Sequence, residues 1–197
     1  MSATTQLPTV ACSISTASAT CSKVYQDACR AFEAIRLIEL GARATLARQL
    51  TGFERKVVNR LFRECHGRPS PPGLLPFTDR WYLQSTRRLL HTAVIWRLHC
   101  RLRIAGRSAA RALIDVYEGY LAIVREPVLC LTRAAFVPRL VEIMAWSETP
   151  CRECGLRYLQ PGVARERICP GCRDYRRFLA RRTRHDRATS RAFGSRP

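Results

Sequence analysis

No Walker A loop, GxGxxG turn, GxSxG elbow or H-x-E pair stands anywhere in the 197 residues. Their absence removes the usual phosphate cradle, the dinucleotide site, the hydrolase nucleophile and the zinc-deaminase acid–base pair. His66, His91, His99 and His185 are isolated, without acidic residues at metalloprotease spacing. The chain is therefore expected not to be an enzyme. No apolar run is long enough to span a bilayer, so no membrane partner is expected. Residues 1–22 lack a basic n-region, and Pro8 with the Ser/Thr residues interrupts any apolar core, so no export signal is read there. The expected compartment is the reducing cytoplasm, which argues against a disulfide framework. Beyond residue 150 lysine is missing altogether and acids are few.

What is present is basic. Lys+Arg 34 against Asp+Glu 15 gives +19, a balance that favours a polyanion partner. From Cys151 to Pro197 there are 13 arginines against Glu153, Glu166, Asp174 and Asp186, a local +9. At the head of this segment stand Cys151-x-x-Cys154 and Cys169-x-x-Cys172, separated by 14 residues. Two such pairs can set four thiolates at the corners of one tetrahedron. Gly155 after the first pair and Pro170-Gly171 inside the second allow tight turns that aim backbone amides at sulfur. Four cysteine ligands leave no open position for water or substrate, so the expected cofactor is one structural Zn²⁺. Iron in the same ligand set stays open, and a thioredoxin-like pair lacks its βαβ context. The other six cysteines are scattered and receive no role.

The expected fold is mainly α: a multi-helix body, a C-terminal four-cysteine zinc knuckle or ribbon, and a basic tail. Residues 1–22 read as a disordered Ser/Thr-rich leader, 23–148 as the body, 149–175 as the knuckle and 176–197 as the Arg-rich tail. Val24, Ala28, Ala31, Phe32, Ile35 and Ile38 recur at helical steps, as do Val57, Val58, Leu61, Phe62 and Cys65. Leu46 and Leu50 mark a short helix between them, and Thr51-Gly52 a break. Four prolines make 68–76 a stiff connector. Thr78 or Asp79 is then expected to cap a long helix towards Arg103. Further helices are expected from Ser108 to Val124 and from Leu129 to Trp146, the latter kinked at Pro138.

Two basic sets are candidate DNA contacts. Residues 44–63 fit a helix-turn-helix whose second helix would show Arg55, Lys56, Asn59, Arg60 and Arg63, types suited to base edges and phosphates. Arg48 stands where such a unit usually has a small residue and Thr51 where it has an apolar one, so an ordinary helical hairpin with a solvated basic face reads equally well. In the tail, Arg173, Arg176, Arg177, Arg181, Arg182 and Arg184 could line a phosphate-facing stripe, with Tyr175 and Phe178 anchoring it to the knuckle. A solubilising basic tail is the plain alternative.

Several segments together resemble the FlhC family of flagellar transcriptional activator subunits. They are Glu39-Leu-Gly-Ala-Arg43, Gly67-Arg-Pro-Ser-Pro-Pro-Gly-Leu-Leu-Pro-Phe77 with Asp79-Arg-Trp81, Leu131-Thr-Arg-Ala134 and the two cysteine pairs. The resemblance spans about residues 23–175 and leaves the leader and tail outside it. It implies a helical FlhD-type partner in a hetero-oligomer, binding to promoter DNA of flagellar operons, and recruitment of RNA polymerase carrying the housekeeping sigma factor. It also implies zinc on Cys151, Cys154, Cys169 and Cys172. An RNA-binding or ribosome-associated zinc-ribbon protein is the competing expectation, and a pure adaptor that leaves DNA to its partner is a third.

Overall fold

The computed structural model describes residues 22–102, 104, 106–162 and 167–193, the last ten by backbone alone. The expected leader lies outside the described residues, Ser22 apart. Among the described residues the chain is a helical body closed at one end by a two-stranded hairpin, as expected for a mainly α protein with a cysteine cluster.

Helix α1 (Lys23–Glu39) buries Ala34, Leu37 and Ile38 from its second half, while Val24 and Phe32 stand exposed. Helices α2 (Ala44–Thr51) and α3 (Arg55–His66) follow, both packed on α1. Between them Gly52 takes φ 73°, a left-handed turn that a side chain would strain. The two departures from the helix-turn-helix pattern have simple local explanations. Thr51 is buried, and its hydroxyl donates to the Ala47 carbonyl at 2.7 Å, so its polar atom is satisfied. Arg48 faces outward, where a large side chain has room.

The proline-rich connector is irregular but fastened. Ser70 Oγ accepts the Ala44 N–H at 3.1 Å, capping α2 from outside the helix, and Arg43 donates to the Leu74 carbonyl at 3.0 Å. The single helix expected from Arg80 is instead two, α4 (Arg80–Leu83) and α5 (Thr86–Arg101). Ser85 causes the split: its extended backbone starts a new helix and its Oγ accepts the Arg88 N–H at 3.2 Å. Asp79 makes no side-chain cap, because its carboxylate accepts from Trp146 Nε1 at 2.9 Å.

Helices α6 (Ala109–Ile123) and α7 (Leu131–Glu142) complete the body, with Ser108 Oγ capping α6 and Pro138 inside α7. Helix α7 ends at Glu142, short of the expected Trp146, and Trp146 opens a strand. Strands β1 (Trp146–Pro150) and β2 (Arg157–Pro161) pair antiparallel, Trp146 opposite Pro161 and Pro150 opposite Arg157. The core gathers Leu37, Ile38, Tyr82, Ile95, Tyr120, Leu131 and Trp146, each almost fully buried. Its tyrosines keep partners for their hydroxyls: Tyr82 donates to the Arg133 carbonyl and Tyr117 to the Leu129 carbonyl. Finally α8 (Pro170–Phe193) leaves the hairpin end as one helix of 24 residues.

Candidate metal centre and basic surfaces

The hairpin delivers the first cysteine pair and the start of α8 the second. Cys151 follows the last residue of β1 and is buried. A turn then closes on Gly155, whose φ of 71° only glycine adopts freely, and whose N–H donates to the Cys151 carbonyl at 3.0 Å. Cys169 precedes α8 and Cys172 lies in its first turn, near the positive end of the helix dipole, which favours thiolates. Arg152 N–H donates to the Arg167 carbonyl at 2.8 Å, tying the two pairs together.

All four Sγ atoms lie within 4.8 Å of one another. Cys154 and Cys169 are 3.7 Å apart at sulfur, far beyond a disulfide bond of about 2.05 Å. Four sulfurs at about 2.3 Å from one zinc ion would have edges near 3.8 Å, so the spacing fits a shared metal. Backbone amides point at the sulfurs as the sequence predicted. Glu153 and Cys169 N–H groups donate to Cys151 Sγ at 3.4 and 3.2 Å, and Cys172 N–H to Cys169 Sγ at 3.4 Å. The backbone N–H of Cys169 foremost, then those of Cys154 and Glu153, pull the Cys151 thiol down to about 6. Cys172 is pushed the other way, chiefly by the Cys169 and Cys154 sulfurs beside it. Four sulfurs this close are compatible with one shared cation, which would favour their ionised form. Among the described residues this is the one group of three or more metal-ligating side chains so placed.

The centre is docked on the body. Strand β2 and α8 both touch α5, β1 touches α7, and Gly171 leaves only contact distance, 3.8 Å, between an added Cβ and Leu90. Tyr175 and Phe178, expected to anchor the arginine stripe, are instead 63% and 57% exposed. The helix leaves the body after its first turn, so Gly171 and its neighbours make the attachment that those rings were expected to make.

The two basic sets occupy different parts of the surface, since α3 packs on α1 and α2 while α8 packs on α5. On α8, Arg173 is half-buried, and Arg176, Arg177, Arg181 and Arg182 are exposed. Arg176 pairs with Glu153 and Arg177 lies 3.8 Å from Asp174. The side chain of Arg184 lies outside the described residues. On α3, Arg55, Lys56, Arg60 and Arg63 are exposed and Asn59 is half-buried. They divide by helical step. Arg55, Asn59 and Arg63, four apart, line a cleft of about 570 Å³ shared with Arg48 and the connector. Lys56 and Arg60 stand on the adjoining face, Arg60 within 3.7 Å of Glu64. Sequence reading passed over Arg48 and Ser70 as site residues; the only hint was an arginine where a small residue was expected.

Comparison with known proteins agrees with these features. The model of a family described as "Flagellar transcriptional activator (FlhC)" matches residues 20–185. A "Flagellar transcriptional regulator FlhC" of Sodalis glossinidius is 33% identical over 128 residues, 62% of this chain and 65% of that protein. The Paraburkholderia phymatum protein of the same description is 33% identical over 154 residues, covering 75% of this chain and 70% of its own. That of Proteus mirabilis is 29% identical over 159 residues, covering 76% and 81%. The chain thus covers just under two thirds of the length of the Sodalis relative.

Proposed function

The chain belongs to the flagellar transcriptional activator family, FlhC, and from that premise we propose that it is the DNA-binding subunit of a hetero-oligomeric activator. In this reading it works with an FlhD-type partner at flagellar operon promoters and recruits RNA polymerase carrying the housekeeping sigma factor. One Zn²⁺ on Cys151, Cys154, Cys169 and Cys172 is structural and, when bound, supplies folding energy to a segment with little core of its own. The work assigned to the chain is binding, in a reducing cytoplasm, with no catalytic step.

The observation that carries this reading is the placing of four clustered sulfurs at the root of a long arginine-rich helix. A metal there fixes the direction in which α8 leaves the body. Arg173, Arg176, Arg177, Arg181 and Arg182 then present charge to DNA phosphates along that helix. On α3 we assign Lys56 and Arg60 to the same task. The body at 23–148, the knuckle at 149–175 and the tail at 176–197 divide the work as partner surface, metal-fixed joint and electrostatic arm.

The test is fluorescence anisotropy of the chain co-purified with its FlhD-type partner, on a flagellar promoter fragment and a scrambled duplex, across a salt series. Preference for the promoter that persists at moderate salt is expected. Equal binding that collapses with salt places the specificity elsewhere. The exposed rings of Tyr175 and Phe178 among arginines favour one alternative, an RNA-binding zinc-ribbon protein, because unstacked bases pack on such rings. A single-stranded RNA probe that binds more tightly than either duplex would select it.

A further inference from the structure

Arg48, Arg55 and Arg63 surround one recess between α2, α3 and Pro69–Gly73. Among the described residues lining it none is acidic, and none of the three arginines has a carboxylate partner. Three like charges around one hollow repel one another, and a ligand bringing negative charge relieves that repulsion. The guanidinium fork matches phosphate oxygens in pairs. Asn59, half-buried beside them, adds an amide that both donates and accepts. The opposite wall is made by Pro69, Pro71 and Pro72, compact apolar rings against which a planar organic group can pack. The wall is held in place by the Ser70–Ala44 and Arg43–Leu74 hydrogen bonds. At about 570 Å³ the recess falls inside the range of small-ligand clefts, roughly 300–1,000 Å³.

We propose that this cleft binds a free phosphate ester of nucleotide size, its phosphate held by Arg48, Arg55 and Arg63 and its ring laid against the prolines. Duplex DNA offers the same phosphate chemistry but the wrong shape. To read bases, the Arg55–Asn59–Arg63 stripe must lie on the floor of a major groove about 12 Å wide. The connector residues Pro69–Gly73 line the same recess as that stripe, so a duplex would have to share the space with them. Lys56 and Arg60 stay free for DNA on the neighbouring face, so the site goes beyond the DNA-binding reading and does not depend on it.

The experiment is calorimetric titration of the full zinc-loaded chain with adenosine 5′-monophosphate, inorganic phosphate and adenosine. The nucleotide is expected to bind saturably, more tightly than phosphate, with adenosine silent. Arg48→Gln and Arg63→Gln should each weaken the nucleotide at least tenfold without lowering the ligand-free melting temperature, and Lys56→Gln should leave nucleotide binding intact. Absence of saturable nucleotide binding, or binding that ignores both arginine variants, overturns the proposal. A 20-base-pair duplex forms the second arm. If it displaces the nucleotide and both variants lose it equally, the cleft holds a DNA phosphodiester; the free-ligand proposal falls and the DNA reading stands. If the nucleotide binds and the duplex does not displace it, the cleft is a free-ligand site, and the DNA reading is judged separately by the anisotropy of the co-purified complex.

Discussion

Tyr120 sits fully buried where three groups converge on its one hydroxyl. The N–H groups of Val128 and Leu129 donate to it at 2.9 and 3.2 Å, and Nδ1 of His91 lies 2.6 Å away. With both lone pairs engaged, the hydroxyl has only its proton left for His91, so Nδ1 accepts and the imidazole is neutral. Burial, and after it the nearby Arg87, holds the His91 pKa below its ordinary 6.5 in the same sense. The folded state therefore binds this proton less readily than the unfolded chain. The sign of the linkage follows: the stabilisation is complete above about pH 6.5 and is lost as pH falls through the lower, folded value. Melting temperatures between pH 8 and pH 5 should decline on the acid side, and His91→Gln, which keeps an acceptor but cannot titrate, should flatten that decline. An identical slope in both proteins would show that His91 is not the group responsible.

At the scale of elements, the knuckle joins two structures that have little else to hold them. Strands β1 and β2 carry few apolar side chains, and their pairing depends on Trp146, Leu159 and the cysteine cluster. Cys169 is the hinge of that arrangement: its sulfur accepts the Cys172 N–H and faces Cys154 at sulfur. Replacing it with serine should drop metal content from about one zinc per chain to near zero, because a serine hydroxyl is a poor ligand for zinc. Hydrogen exchange should then rise across 151–172 and the first turns of α8 while α1–α3 stay protected. A variant that retains stoichiometric zinc and full promoter binding would falsify the site. The same contrast explains what could be read in advance. Helices α1 to α3 were legible because apolar residues recur at helical steps and Gly52 marks the turn, although the face read for α1 shares only Ile38 with the buried set of Ala34, Leu37 and Ile38. The cysteine pairs were legible because ligand spacing is local. The break at Gln84–Ser85 rests on the local Ser85 cap, which the reading passed over. The strand at Trp146 was not legible, because the partner of its indole N–H, Asp79, lies 67 residues away. The three-arginine cleft was hidden for a similar reason, since Ser70 and the prolines reach it only through the fold.

Across the whole molecule, +19 is spread unevenly, with a local +9 after residue 150, and this distribution decides which arginines can act. On α8, Arg176 and Arg177 already have carboxylates in Glu153 and Asp174. Any phosphate must displace those partners first, so each contributes less than its formal charge. Arg181 and Arg182 are exposed, a little more than one turn further out, and make no ion pair among the described residues. They are the arginines best placed to release counterions on binding. Each phosphate neutralised steepens the dependence of log K on log salt by about 0.9. Arg181→Gln together with Arg182→Gln should therefore lower the slope by about 1.8 on promoter and scrambled duplex alike. Arg176→Gln with Arg177→Gln should lower it by clearly less, since the freed Glu153 and Asp174 offset part of the change. If neither pair moves the slope or the affinity, α8 does not touch DNA, and the contact falls to Lys56 and Arg60 on α3 or to the partner. If both pairs move it equally, the ion pairs with Glu153 and Asp174 dissolve on binding, and the helix engages DNA along its full described face.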